Sequence, residues 1–536
     1  IANTHTVTLS GGSSCKSLEV KSGGAFDGDG NVMEIAGVNS SDFAIDIDGD
    51  IDGTDTDFDI RSPSTAKIDL AAANGKVRNL TIQDASCVAT MYSDVSLLGN
   101  LTITSGELTT GDGGYGYSNL EVLGTTSITG TLTCNSSAIE LGDNVDNAWS
   151  VTLEANGTFV GGTGNHYLGA VTLNSSSNQW TWTSGNTYLS GRSSSGNQYK
   201  VFNNFTAGKV TAAGTVIVDQ ARTPTSFCCV DTSGINNLTM NSGTGRVLHL
   251  EDDLKVNGAL NVAAGTVTTR NHQDNTDSDL EVEGATTIGN GAILKCNASS
   301  DVDLAGGNVT GSGTGTLALD ACTMTAGNLY PPKITADAAS VTCGDYFGVS
   351  TNSDLTVSSG AALAVTCKRI QLNSITAPSP NWSVTFNGDG TPNVIKVGSG
   401  ELHDVTLNMT ADPTDVQHLG QNTTIGGNLT ITSGVLDTNE NAGDNFTLTV
   451  TGYCDVTGTL TLNDSAVSVA ALRCKSGAVV TQGSSGTLAL ATGSNFAGSG
   501  STESSTYSLR NIDGTSDINL GGTTTVSGGS YFEPRT

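Results

Sequence analysis

Basic residues are scarce in this chain. Its 536 residues include 22 Lys and Arg against 52 Asp and Glu, giving a formal net charge of −30. Gripping nucleic-acid phosphates requires the opposite balance, so nucleic acid is excluded as a partner. Charge is also thin, at 14% of the chain, where globular domains usually carry ~25%. No stretch of about 18 apolar residues occurs, so no helix is long and apolar enough to cross a membrane. Aromatics contribute 5% and Pro only 9 residues, fewer than sandwich cores and domain linkers usually recruit.

Signatures of common chemistry are missing too. The 11 Cys contain no C-x-x-C pair, which removes the usual zinc and thioredoxin-type motifs. They either form disulfides, with Cys228, Cys229 and the pair Cys454 and Cys474 as candidates, or act as small apolar core residues. The 6 His are scattered, no G-x-S-x-G elbow appears, and the Gly-rich stretches lack the Lys and following helix of a phosphate loop. A glycosidase needs two facing carboxylates, and no acid is set apart for that role.

What remains is Gly, at 68 residues, with abundant Ser, Thr and Asn. Thr, Val, Ile and Leu recur in short runs such as Leu101-Thr-Ile-Thr104 and Thr447-Leu-Thr-Val450, which favour a pleated surface over a helix. Within these runs aliphatics occupy every second position, and Gly, Asn, Ser or Asp turns separate them.

Self-comparison yields a long repeat. Gly99-Asn-Leu-Thr-Ile-Thr-Ser-Gly-Glu-Leu108 returns as Gly258-Ala-Leu-Asn-Val-Ala-Ala-Gly-Thr-Val267 and as Gly427-Asn-Leu-Thr-Ile-Thr-Ser-Gly-Val-Leu436, at offsets of 159 and 169 residues. Matching blocks flank each copy. The chain therefore divides into an N-terminal β region with an Asp-rich segment (1–76) and three β-repeat modules, 77–234, 235–401 and 402–536, the last with a C-terminal tail. The expected fold is all-β, an elongated parallel β-solenoid, with tandem β-sandwich modules as the alternative. At ~22 residues per coil the chain would make ~24 coils, each stabilised by its neighbours.

Repeats of the form G-N-L-T-I-T-S-G-x-L, followed by L-T-V-T-G and T-G-T-L-T, resemble the Thr/Gly-rich β-helical proteins of bacteriophage virions and bacterial surface adhesins. The resemblance implies a non-enzymatic fibre, spike or coat-associated component on a virion surface or outside the cell. Its partners would be copies of itself, as a homo-oligomer or filament, or other virion or surface proteins, and a cell-surface glycan. A bacterial filament or adhesin subunit and a polysaccharide-degrading tailspike are the alternatives. No catalytic residue carries over.

Two segments are candidate binding sites. From Asp48 the chain reads Asp48, Asp50, Asp52, Gly53, Thr54 and, at the twelfth place, Asp59, matching the D-x-D-x-D-G spacing of a calcium loop. The candidate ligands are Asp48, Asp50, Asp52, Thr54 and Asp59, and calcium is the cofactor they imply. A strand with a solvated acidic face explains the alternation equally well. Phe26-Asp-Gly-Asp-Gly30 is a Gly-enabled turn of related composition. Trp180 and Trp182 share one face of a strand and are candidates for stacking on a glycan, with Tyr167 or Tyr188 adding to the platform. Packing inside the fold is the competing reading.

Overall fold

The computed structural model describes residues 1–536 other than 63–64, 71–75, 112–117, 143–149, 191–198, 205–207, 220–224, 230–233, 273, 349–352, 361, 377–380, 389–392, 410–414, 476, 491–508, 512–516, 527–531 and 534–536. They form two compact units, Ile1–Val282 and Glu283–Thr536. Both are all-β parallel solenoids, without a helix among the described residues. Sandwich strands pair antiparallel through hairpins. Here strands pair in parallel with others one turn further along, which removes the sandwich alternative.

Local sequence explains the strands. Leu101–Ile103, Leu120–Val122 and Thr126–Ile128 bury their first and third residues and turn the middle one outward. Three such strands, separated by Gly- or Asn-containing corners, complete one turn and so define three faces. In the first unit one face stacks Val95–Leu97, Leu120–Val122, Ile139–Leu141, His166–Leu168 and Asn186–Leu189. A second stacks Asn79–Ile82, Leu101–Ile103, Thr126–Ile128 and Ser150–Leu153. The third stacks Glu107–Thr110, Thr131–Thr133, Thr158–Gly161 and Gln179–Trp182.

Stacking is in register, so like residues form columns. Ile82, Ile103, Ile128, Leu153 and Leu173 succeed one another inside the first unit. In the second unit Met324, Val341, Val365, Val384, Val405 and Leu429 do the same, all buried. Beside that inner column runs an outward one of Thr325, Thr342, Thr366, Thr385, Thr406 and Thr430. Each buried Leu, Ile or Val contributes about 1.5–3 kcal/mol, delivered turn by turn rather than in one central core.

The turns number about 19, fewer than the ~24 expected. Their length varies: one takes 17 residues, Thr316 to Lys333, and another 31, Val171 to Phe202. Corners absorb that variation, which is why no strict short repeat is written in the sequence. The long repeat does not match whole turns either. Leu80 and its module-two counterpart Leu238 lie on different faces of the first unit. A shift of 159 residues thus returns the same strand pattern rotated by one face.

Repeated polar residues hold one turn to the next. The Asn100 side chain accepts the Thr125 N–H at 2.8 Å, as Asn237 accepts that of Ala259 at 2.7 Å and Asn428 that of Tyr453 at 3.1 Å. The glycine opening each copy leaves room for the acceptor of the preceding turn. A Cβ on Gly99, Gly258 or Gly427 would meet Asn79 Oδ1, Asn237 Oδ1 or Asp404 Oδ1 at 2.3, 2.3 and 2.4 Å. Ser105 and Ser433 donate to the carbonyls of Gln83 and Met409 one turn back. The next glycine in all three copies, Gly106, Gly265 and Gly434, has φ of +76°, +90° and +83°, a region open to Gly at no steric cost.

Nine described Cys are unpaired, Cys454 and Cys474 among them, and eight are buried. Burial pushes the Cys87 and Cys474 thiols up to about 11 and Cys343 to about 12, so they are protonated apolar filling. The side chains of Cys228 and Cys229 lie outside the described residues. His166 also points inward, its ring edge-on to Phe159 at 5.4 Å. Desolvation holds its pKa down to about 4.

Two outcomes follow from these contacts. Gly427→Ala should cost about 1–3 kcal/mol in chemical denaturation, the usual range for a substitution that forces a clash. Gly11→Ala, with nothing within 4 Å of its Cβ, should change stability by less than about 0.5 kcal/mol. Because His166 binds its proton less readily folded than unfolded, its contribution is complete above pH 6.5 and is lost as pH falls towards 4. His166→Leu should therefore flatten the decline in melting temperature between pH 7 and pH 4; an unchanged slope would show that other groups govern it.

Candidate functional site

The Asp-rich segment does not close into one loop. Phe43–Ile47 is a strand of the third face, the chain turns at Asp48 and Gly49, and Asp50–Asp52 starts a new strand beside Ala25–Asp27. A second corner follows before Asp57–Ile60, which belongs to the second face. The five candidate ligands are thereby separated. Asp48 and Asp50 are exposed, whereas Asp59 is buried and ion-paired with Arg61 at 2.8 Å. Thr54 donates to Asp52 through both its backbone N–H and its hydroxyl, at 3.0 and 2.6 Å.

A different acidic group is assembled instead. Register places Asp27 beside Asp52 in successive turns, and the corner after Asp52 swings Asp55 towards them. Carboxylate oxygens of Asp27, Asp52 and Asp55 lie within 4.8 Å of one another. Of the five candidates only Asp52 takes part. Asp27 comes from the Phe26–Gly30 turn, and its pairing was legible only as a 25-residue interval, one turn of this solenoid.

The three carboxylates are electrostatically unequal. Hydrogen bonds from Thr54 hold the Asp52 carboxyl below its usual range. Desolvation raises that of Asp55, reinforced by the charges of Asp52, Asp27 and Asp29. One Asp55 oxygen is enclosed without a hydrogen-bond partner. On the third face Glu19, Asp46 and Asp69 also stack, and burial followed by neighbouring acids raises Asp46. Like charges directly opposite are destabilising. A divalent cation held by oxygen ligands would relieve that repulsion at Asp27, Asp52 and Asp55.

Both candidate tryptophans face inward. Trp180 has 0% exposure and Trp182 4%. Trp180 stacks on Phe159 at 4.2 Å and meets Phe202 edge-on at 6.4 Å. Neither indole offers a free face to a sugar, so their role is packing. The reason is local: in Gln179–Trp182 the outward positions are Gln179 and Thr181. Tyr167 and Tyr188 do reach the surface, on a different face.

Comparison with known proteins adds no relative: no family model, curated protein or solved structure matches the chain.

Asp55 generates a measurable sign. Its raised carboxyl means that the folded chain holds this proton more readily than the unfolded chain, so stability falls as pH rises through the carboxylate range. In chelator at pH 7, Asp55→Asn should raise the melting temperature, and the gain should vanish near pH 3. A variant less stable than the parent at pH 7 would contradict this reading.

Proposed function

We propose that the chain is a non-enzymatic structural and adhesive surface component: a fibre, spike or coat-associated element of a bacteriophage virion. It assembles with copies of itself or with other virion proteins and meets a surface glycan. The carrying observation is that the repeated residues are spent on turn-to-turn contacts. Gly99, Asn100, Ser105 and Gly106, and in the third copy Gly427, Asn428, Ser433 and Gly434, each serve a contact or corner between turns, while the second copy keeps the two glycines and has Ala259 and Ala264 in place of the Asn and Ser. Repetition on this scale builds surface and span. Outward positions then carry short hydroxyl side chains, as in the column from Thr325 to Thr430.

Electron microscopy of the purified chain and of particles labelled with antibody against it tests this directly. Ordered assemblies and label on virions or cell surfaces are expected, and a dispersed protein absent from both would overturn the proposal. Incubation with capsular and cell-wall polysaccharides should release no reducing ends. Turnover abolished by replacing one acid would instead establish the enzyme reading.

Calcium is part of the same proposal, on the Asp27, Asp52 and Asp55 group. Millimolar calcium should raise the melting temperature by several degrees, and Asp52→Asn should remove most of that rise. No shift in the parent chain would discard the site.

A further inference from the structure

In-register stacking places two tyrosines one above the other on the outside of the first unit. Along the first face the outward positions of successive turns are Glu121, Glu140, Tyr167, Tyr188 and Ile217. The two phenol rings are parallel, with centroids 4.7 Å apart and planes 12° from one another. Tyr188 covers one face of Tyr167. The other face borders the turn of Glu140, whose side chain is exposed. Tyr167 is 44% exposed, one of three large apolar or aromatic side chains so exposed among the described residues.

Beside this stack lies an open groove of about 380 Å³, lined by both tyrosines, Glu140, Gly142, Gly169 and Asp219 among others. Small residues border it, among them Gly169 and Gly142, the latter at φ +110°. Such a volume suits a small ligand or a short stretch of polymer. Among the described residues none that lines it is basic.

We propose that this groove is a saccharide-binding site in which a neutral pyranose lies against the exposed part of the Tyr167 ring. The proposal rests on the adhesive reading above and gives it a location. Axial C–H groups of a pyranose carry partial positive charge and pack on the negative face of an aromatic ring. Glu140 and Asp219 are acceptors for sugar hydroxyls, and charged hydrogen bonds of this kind are the stronger ones. A chain of net charge −30 repels uronic, sialylated or sulfated sugars, which favours neutral glycans. A quaternary amine also suits aromatic and acidic groups, yet such sites surround the cation with several ring faces, whereas these two rings stack on one another.

Native gels cast with dextran, mannan or galactan test the site on the full chain, with alginate as the anionic comparison. At least one neutral polysaccharide should retard the parent protein and alginate should not. Tyr167→Ala should weaken that binding at least tenfold and Glu140→Gln severalfold, while Tyr330→Ala, in the second unit, leaves it unchanged. Circular dichroism checks that each variant is folded, and Glu140→Gln stands in if Tyr167→Ala is not. Absence of retardation by every neutral polysaccharide, binding indifferent to both groove substitutions, or displacement by choline rather than by sugar would overturn the proposal. Assembly seen by microscopy is a separate readout: an assembling chain that ignores sugars sinks the groove alone, and one that binds sugars through Tyr167 without assembling sinks the scaffold reading alone.

Discussion

Everything in this molecule depends on stacking each turn in register upon the last. A parallel ladder places the same side-chain position of successive turns roughly 4.8 Å apart, so each residue is judged by how well it lies on its own kind. Leu on Leu and Ile on Ile build a core without a centre. Thr on Thr leaves a hydroxyl column outside, and an Asn at a corner reaches the N–H of the following turn. Glycine opens the repeat because an Asn or Asp side-chain oxygen of the preceding turn already fills the space a Cβ would need.

The same constraint produces the exceptions. Acids repeated at one position give Asp27 above Asp52, and Glu19 with Asp46 and Asp69, where like charges face one another. Aromatics repeated at an outward position give the stacked Tyr167 and Tyr188. Where repetition stabilises, the residues are occupied with architecture. Where it costs stability or leaves an aromatic ring in water, a ligand has something to do. The cation and saccharide proposals both arise at such places.

Much of the fold was legible in the sequence. Short runs such as Leu101–Ile103 announce strands with alternate residues buried, and the G-N-L-T-I-T-S-G copies announce a repeat whose Gly, Asn and Ser have turn-to-turn tasks. Less legible was which side of a strand faces the core. Period two correctly put Trp180 and Trp182 on one face, but only the position of the corners decides that it is the inner one. The calcium-loop spacing failed for a related reason. Corners at Asp48 and after Asp52 send its acids to different faces, and the partner that register supplies, Asp27, stands a full turn away. Turn length varies with the corners, so such intervals have no fixed value to search for.

Cross-linking tests the register on which this account stands. Thr385 and Thr406 are outward partners in adjacent turns, within reach of a disulfide, whereas Thr385 and Asn408 are two residues out of register and too far apart to bridge. Native thiols are mostly buried and protonated, so engineered surface cysteines should react first. Rapid oxidation of the Thr385→Cys, Thr406→Cys pair, with none for Thr385→Cys, Asn408→Cys, is the expected result. The opposite preference would mean that the turns of the second unit do not stack as described.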